Sequence, residues 1–479
     1  MKQKPFARTS IFTSLAGLLV IASASCVAGS AASTPTAQQV LERATAKLAV
    51  PDGDMAVALQ IQGNRNQPEQ AQYPTQPFAK VASQQSLLLV NDGRFSLQTD
   101  SHYPGGIEFR FMTVGSRNGS ATVDPMHWRE GIEILRDSAE GARGDYADFL
   151  FLIPTMLLRD AVDHHPIASM KSGKVEITYK DAVARPVTLM LDPVSAQVNE
   201  AIVGKDRYVY TNYREQQKLS QPKHMARFKG EQLIAEWDTI SARLQSTLPA
   251  DAFHLPPGYQ EKGLRGLLRA TDLGHGTWRV DGTTSGYHTG FVVGERSVAV
   301  FDAPVSVDEA NQVAALIHRT APGKPIAYVV VSHVHGDHVA GLPAYLKDGA
   351  QVLAGTDADI ALRRQFGDKT ELHLQQVAQP RELDLGKTTV TIYPLASTHA
   401  STMLVGYAPQ SHTVFQGDLF YLPEVGPIPP AFEGAEELAG LIAREKLVVA
   451  HIVGVHGRSG GTKDLAESVR LRQAAPVAQ

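Results

Sequence analysis

One cysteine in 479 residues is the first constraint. It excludes an intrachain disulfide framework and a Cys-rich zinc finger. That cysteine, Cys26, stands just after an N-terminal apolar run, and no thiol follows it. Cysteine catalysis and cysteine metal ligation are therefore excluded for the chain beyond it. A basic excess is also missing: Lys and Arg total 45 against 49 Asp and Glu, a formal charge of −4. That balance disfavours a nucleic-acid partner. Ile11 to Ala24 is too short an apolar stretch to span a bilayer comfortably. Hydrophobic residues at 43% and charged residues at 20% are globular values, against both wholesale disorder and a polytopic membrane protein. The length suggests two or three domains.

What the N-terminus does hold is a targeting segment. Lys2, Lys4 and Arg8 form a positive start, Ile11 to Ala24 the apolar centre, and Ala28 to Ala32 a small-residue stretch suited to signal peptidase. The expectation is a signal peptide over residues 1–31, an exported protein that is periplasmic or secreted, and no transmembrane span after its removal. Lipid anchoring at Cys26 is the weaker reading. Ser23-Ala24-Ser25 lacks the Leu usually found three residues before a lipid-modified cysteine.

Residues 35–256 read as a β-rich N-terminal domain of the α+β class. A short helix is expected around Gln38–Leu48. Leu87 to Val90, Asn91-Asp92-Gly93 and Phe95 to Leu97 read as a hairpin. Val175, Ile177 and Tyr179 alternate with polar neighbours, as do Val187, Leu189 and Leu191, the pattern of half-buried antiparallel strands. Met225 to Asp238 reads as a strand pair broken at Gly230. His164-His165-Pro166 is expected to be an exposed loop pair rather than a metal site. With its early helix, successive strands and closing Leu248 to Phe253, this region loosely resembles the half-barrel of periplasmic lipoprotein carriers. That resemblance implies a site for a lipid or other apolar ligand. A structural or docking module is the preferred expectation, because strand patterning does not specify function. Pro256-Pro257-Gly258, Gly263 and Gly266 mark a linker.

Residues 265–479 alternate strand and helix. Ser297 to Asp302 is a short buried strand ending in a carboxylate. Ser306 to Glu309 is a capping box ahead of a helix whose Val313, Leu316 and Ile317 share one face. Ile326 to Val331 fits a fully buried strand. It delivers His333-Val334-His335-Gly336-Asp337-His338, three imidazoles and a carboxylate in six positions, at the strand end where open α/β sheets place their sites. His is the commonest metal ligand, and zinc accepts His nitrogen and Asp oxygen. In an extended loop, His333 and His335 can point to one side and chelate one ion. Asp337 and His338 begin the next helix and can face a second.

The segment His333 to His338 resembles the H-x-H-x-D-H signature of the metallo-β-lactamase superfamily. That family expects a further His, an Asp and a last His, each after another strand. They stand here as His399 after Thr389 to Leu395, Asp418 after Val414-Phe415, and His456 after Leu447 to Ala450. The resemblance covers about Gly274 to Glu467. It implies an αββα sandwich and a metallohydrolase. One metal would be held by His333, His335 and His399, the other by Asp337, His338 and His456, with Asp418 bridging. Two Zn2+ per chain are expected, with iron or manganese as alternatives. Asp302 looks like the family's supporting carboxylate; the alternative is a strand-end residue that caps the next loop. His451 is the rival of His456, which is preferred because its flanking glycines let the backbone turn toward a metal. His288, His373 and His412 are expected at the surface or in loops, with His288 able to line the site mouth. Gly457-Arg458-Ser459-Gly460-Gly461 matches a nucleophile elbow formally, but no His follows Ser459, so the required order fails.

Zinc lowers the pKa of bound water to about 7, so the resemblance implies hydrolysis by a metal-bound hydroxide. Asp337 would be the catalytic residue that orients it and shuttles its proton. The expected substrate is a small-molecule ester, lactone, thioester, amide or phosphodiester. A β-lactamase is the weaker reading on the same site: dedicated β-lactamases of this family usually carry Cys or Ser where Asp418 stands, and lack so large an N-terminal extension. A mono-iron sulfur dioxygenase shares these ligands. A non-enzymatic lipid or lipoprotein carrier is the alternative from another class.

Overall fold

The computed structural model describes residues 35–46, 56–216, 219–263, 266–347, 349–368 and 370–474. Residues 1–34, with the expected export segment and Cys26, lie outside them, as do the last two residues of the expected first helix. That helix spans Ala37–Ala46.

Fourteen strands among the described residues form one sheet. The chain starts at its centre, in Ala56–Gln67, and meanders outward through Ala79–Val90, Phe95–Tyr103, Ile107–Ser116 and Gly119–Val123 to Glu133–Asp137. Helices Ala139–Leu150 and Pro154–Asp163 follow. The second half then builds inward from Ile167–Lys171 to Gln232–Gln245, which pairs antiparallel with Ala56–Gln67. Every connection within each half is local, so alternation alone sets which side chains face inward. Val175, Ile177, Val187, Leu189 and Leu191 are buried as that alternation requires, packed with Val40, Leu41, Leu150, Met156 and Leu157 of the helices. The 91–93 turn is as expected: Gly93 takes φ 97°, and Asp92 accepts from the Arg94 N–H at 2.9 Å. Gln260–Glu261 adds a short parallel edge strand beside Glu133–Asp137, beyond the Pro256-Pro257-Gly258 stretch.

The C-terminal region has two sheets face to face. One has seven strands between Arg269 and Gln376, the other five between Arg381 and Val453. Val292, Ala299, Phe301, Val330 and Leu353 of the first meet Val390, Ile392, Leu404, Phe415 and Val453 of the second. Phe301 and Phe415 stack at 4.0 Å across this core. Val307–Thr320 and Ala358–Phe366 cover the outer face of the first sheet; Glu433–Arg444 and Thr462–Ala474 cover that of the second. These four layers are the αββα sandwich, preceded by the large, mostly antiparallel sheet. Strand Ile326–Val330 pairs parallel on both sides, which explains why its sequence is an unbroken apolar run.

Two local expectations change. Ser306 caps its helix by accepting from the Glu309 N–H at 3.2 Å, but the Glu309 carboxylate turns to Ser285 (Oγ at 2.6 Å) instead of closing the box. Leu447 to Ala450 is not the strand before His456. After the helix ends, these residues form the return connection, with Val448 exposed and its carbonyl accepting from Tyr407 Oη. The strand is His451–Val453, parallel to Thr413–Phe415. His288 lies in a loop, as expected, and is buried there.

The sheet region lies against the strand-end edge of the sandwich. Trp128 stacks on Phe432 at 3.9 Å and 15°, and Ile107 and Tyr421 complete this small core. Ile132 donates its N–H to the Val425 carbonyl at 3.3 Å.

Candidate metal centre

Each expected ligand hangs from a strand end fixed by its own local bonds. Ser332 follows the buried strand, and its carbonyl accepts from the Leu404 N–H at 2.7 Å, which ties the two sheets together beside the motif. Gly336–Val339 is a single helical turn that follows the extended His333–His335 segment and brings the His338 ring to 4.1 Å from that of His333. His399 sits in the loop after Thr389–Leu395, with its N–H on Ser397 Oγ at 3.1 Å. Asp418 lies in a loop pinned by Gln416, whose amide donates to the Phe420 carbonyl and accepts from the Leu419 N–H. His456 is flanked by Tyr287 (ring centroids 4.4 Å, edge-on) and Tyr421 (5.4 Å, stacked).

The seven residues converge in two groups. His333, His335 and His399 form one; Asp337, His338, Asp418 and His456 form the other, with ligand atoms within 4.8 Å of one another in each. In the first, His333 Nε2 is 2.9 Å from His335 Nδ1 and 3.0 Å from His399 Nε2. Burial and the neighbouring imidazoles push His335 down to about 3 and His333 well below its usual value; burial also lowers His399. Neutral rings with nitrogens this close share too few protons to satisfy one another, whereas a cation accepts all three lone pairs.

Asp418 stands between the groups: Oδ1 is 3.0 Å from His338 Nε2 and 3.3 Å from His456 Nε2, and Oδ2 is 3.5 Å from His399 Nε2. Asp418 Oδ1 and His338 Nε2 are both buried, yet neither finds an aligned hydrogen-bond partner. Unsatisfied buried polar atoms are rare and need an explanation. A nitrogen–oxygen donor set with orphaned atoms fits two divalent ions of the zinc type. Burial disfavours charge on all these groups, but Asp418, Asp337 and Asp302 outweigh it at His338 and raise its pKa, while His338 and His456 hold both Asp337 and Asp418 below the usual carboxylate range.

A further set of residues orients these ligands. Asp302, at φ 62°, accepts from the Ser332 N–H at 2.6 Å and holds His338 Nδ1 at 3.2 Å. It therefore serves both as a strand-end cap and as support for a ligand. The others come from the sheet region, 260 or more residues away. Gln70 Nε2 donates to Asp337 Oδ1 at 2.9 Å. His335 Nε2 lies 3.2 Å from the Ala71 carbonyl, which places the proton there and leaves the lone pair on Nδ1. Gln72 brackets the His399 loop, donating to the Thr398 carbonyl at 2.6 Å and accepting from the Ser401 N–H at 2.8 Å. The strand Ala56–Gln67 thus runs directly into a strap across the centre. Above it lies a cleft of about 190 Å³ lined by both regions, among them Gln67, Gln70, Tyr103, Ile107, Phe109 and Arg129 on one side, and Asp337, His399, Asp418 and His456 on the other.

Sequence reasoning missed Gln70, Ala71, Arg129, Tyr287 and Tyr421. No local pattern marks the first three; the last two are near His288 and Asp418 in sequence, their only signal. The rejected candidates lie elsewhere. His164 and His165 are an exposed pair, His373 and His412 are exposed, and His451 stays in its strand outside both groups. His288 binds Glu424 (2.7 Å) and sits 3.3 Å from Asp281. Burial opposes its charge, but these acids outweigh that and raise its pKa.

A family model described as the metallo-beta-lactamase superfamily matches residues 282–462. Among solved structures, the metallo-beta-lactamase from Pontibacter korlensis is 19% identical, covering 43% of this chain and 100% of that one, with a TM-score of 0.36. TMB-1 is 16% identical over 43% of this chain and 97% of its own, with a TM-score of 0.35. DIM-1 metallo-beta-lactamase is 15% identical over 44% of this chain and 98% of its own, also at 0.35. No curated protein matches. The strand-end motif, the two ligand groups and the family match together make residues 282–462 a metallo-β-lactamase superfamily domain.

Proposed function

We propose that the chain is an exported, di-zinc hydrolase that cleaves an ester, lactone, thioester, amide or phosphodiester bond in a small molecule. The observation that carries this reading is the convergence of seven candidate ligand residues in two groups, four of which, Asp337, His399, Asp418 and His456, line one cleft. His333, His335 and His399 would hold one ion; Asp337, His338 and His456 the other; Asp418 would face both. When bound, two such ions would supply Lewis acidity toward a substrate oxygen and would lower the pKa of a water to about 7.

The protein's own contribution is placement. Ala71 and Asp302 fix the tautomers of His335 and His338, so each presents its lone pair inward. Gln70 holds Asp337 Oδ1, leaving Oδ2 toward His338 and His456, where it orients an attacking water and passes on its proton. Tyr287 and Tyr421 confine His456 and wall the cleft against bulk water. Export rests on Lys2, Lys4, Arg8 and the apolar run that follows; N-terminal sequencing of the mature protein tests it, and an intact Met1 in the exported form counts against it.

The test is elemental analysis of the purified chain with a screen of lactones, thioesters, phosphodiesters and β-lactams. Two zinc ions per chain and turnover of one class are expected, with both metal and turnover lost in His333→Ala and His335→Ala. Full turnover by either variant overturns the reading. Iron at one per chain with oxygen uptake replaces it by a sulfur dioxygenase.

A further inference from the structure

The cleft over the metal centre contains one cation among its lining residues, and that cation comes from the sheet region. Arg129 is carried by the 124–130 loop. The loop is built around Asp124, a fully buried carboxylate that accepts from the N–H groups of Met126 (3.0 Å), Arg129 (2.7 Å) and Glu130 (3.4 Å). The next anchor is Trp128, clamped on Phe432 of the sandwich. Backbone and neighbour are therefore both fixed, and Arg129 is held at the cleft mouth by two independent constraints. Its side chain is 43% exposed. Nη2 donates to Tyr287 Oη at 3.3 Å, and Glu130 lies 3.6 Å from Nε. A guanidinium has five N–H donors, so these contacts leave capacity on the face turned to the cleft.

On the same side of the cleft, Tyr103, Ile107 and Phe109 add an apolar wall to Arg129. Tyr103 and Phe109 meet edge-on at 5.7 Å, and Phe109 is braced against Phe432 at 6.0 Å. The volume, about 190 Å³, is below the usual range for drug-sized ligands, roughly 300–1,000 Å³, so it admits a small molecule or the end of a larger one. An arginine preorganised beside aromatic surface at a concave site recognises a carboxylate bidentately while the rings take the apolar body.

We propose that Arg129 is a specificity-determining residue, and that the substrate is a small ester, thioester or lactone bearing a carboxylate next to an apolar body. This deepens the hydrolase reading and rests on it. The carboxylate sits on Arg129 at the mouth, the body lies against Tyr103 and Phe109, and the scissile group reaches the floor where Asp337 and Asp418 stand.

The experiment compares two esters with one leaving group, 4-nitrophenyl acetate and mono-4-nitrophenyl glutarate, on the zinc-loaded full chain. The wild type is expected to prefer the anionic ester. In Arg129→Gln the ratio of kcat/KM values, anionic over neutral, falls about 10- to 100-fold, the worth of a hydrogen bond to a charged group. The loss appears in KM, zinc content stays the same, and Arg129→Lys recovers part of it. Arg296→Gln, which removes an exposed cation paired with Asp384, leaves the ratio unchanged. An unchanged ratio in Arg129→Gln overturns the proposal, as does a parallel loss on both esters. If the wild type turns over neither ester, the hydrolase reading fails for these substrates, and calorimetry with glutarate on the metal-free chain decides the anion site alone. Binding lost in Arg129→Gln upholds it; equal or absent binding in both proteins overturns it.

Discussion

Gln70 belongs to the sheet region, and its amide holds a ligand 267 residues later in the chain. Consider Gln70→Ala. The hydrogen bond to Asp337 Oδ1 is 2.9 Å long and its acceptor is a carboxylate, the class worth about 1.5–3 kcal/mol when buried. The Asp337 side chain is 26% exposed, so water partly replaces the lost donor, and the lower end applies. That corresponds to about a tenfold change in an equilibrium constant, the lower bound for residues that orient metal ligands. The weakened equilibrium is zinc binding to the group containing Asp337, His338 and His456. Competition titration against a chromophoric chelator resolves it. One of two binding steps should weaken about tenfold, while the other, set by His333, His335 and His399, moves by less than about twofold. The melting temperature of the metal-free chain should barely change, because Gln70 is a half-buried polar residue. If both steps weaken equally, or neither does, Gln70 does not position Asp337 and the strap is only a surface contact.

Further predictions follow the same logic. A Cβ on Gly417 would collide with Ser332 Oγ and come within 2.9 Å of His333 Nδ1, so Gly417→Ala should displace His333 and cut zinc content to one per chain or less, measured by elemental analysis. Trp128 is buried between the two regions, so Trp128→Ala should destabilise the chain by about 3–5 kcal/mol in denaturant unfolding; a change under ~1 kcal/mol would show that the stacking on Phe432 does not hold the regions together. The raised pKa of His288 gives stability that is complete below its unfolded value near 6.5 and is lost as pH rises through its folded value. Melting temperatures taken from pH 5.5 to 8.5 should therefore fall less steeply with pH in His288→Gln than in the wild type, and parallel curves would refute this.

The C-terminal fold and its ligands were legible because their signals are local. A buried parallel strand is a run of apolar residues, and a ligand at its end needs only a loop. His333 to His338 announces itself within six positions, and His399, Asp418 and His456 each follow a strand. The missed strand at His451–Val453 shows the limit. Leu447 to Ala450 is more apolar, but a helix that ends at Arg444 needs those residues to return to the sheet edge, and the pairing partner of Thr413 is His451. The burial of His288 in its loop has a similar origin: nothing adjacent shows that Asp281 and Glu424 converge on it. Alternation revealed the strands of the N-terminal region, yet could not show that they join in one fourteen-stranded sheet, nor which edge meets the sandwich. Gln70, Ala71 and Arg129 carry no pattern, because their meaning lies in partners hundreds of residues away.

The contacts between the two regions argue that the cleft is composite by construction, not by chance proximity. Gly105 takes φ 83°, and a Cβ there would come within 2.5 Å of the Thr398 carbonyl beside His399. A Cβ on Gly336, inside the metal motif itself, would come within 2.6 Å of Glu69 on the strap. Each region thus presents a bare backbone where the other approaches a ligand-bearing loop, and a loosely tethered module would require no such fit. The hydrogen bonds point the same way: His335 and Asp337 both complete their coordination of protons with atoms of the strap, and the His399 loop is pinned by Gln72. An isolated sandwich would expose these groups to water, which can satisfy them but cannot choose a tautomer or fix an oxygen. The sheet region is therefore part of the cleft over the two ligand groups, and on the hydrolase reading substrate choice would be set by a surface that the family signature does not contain.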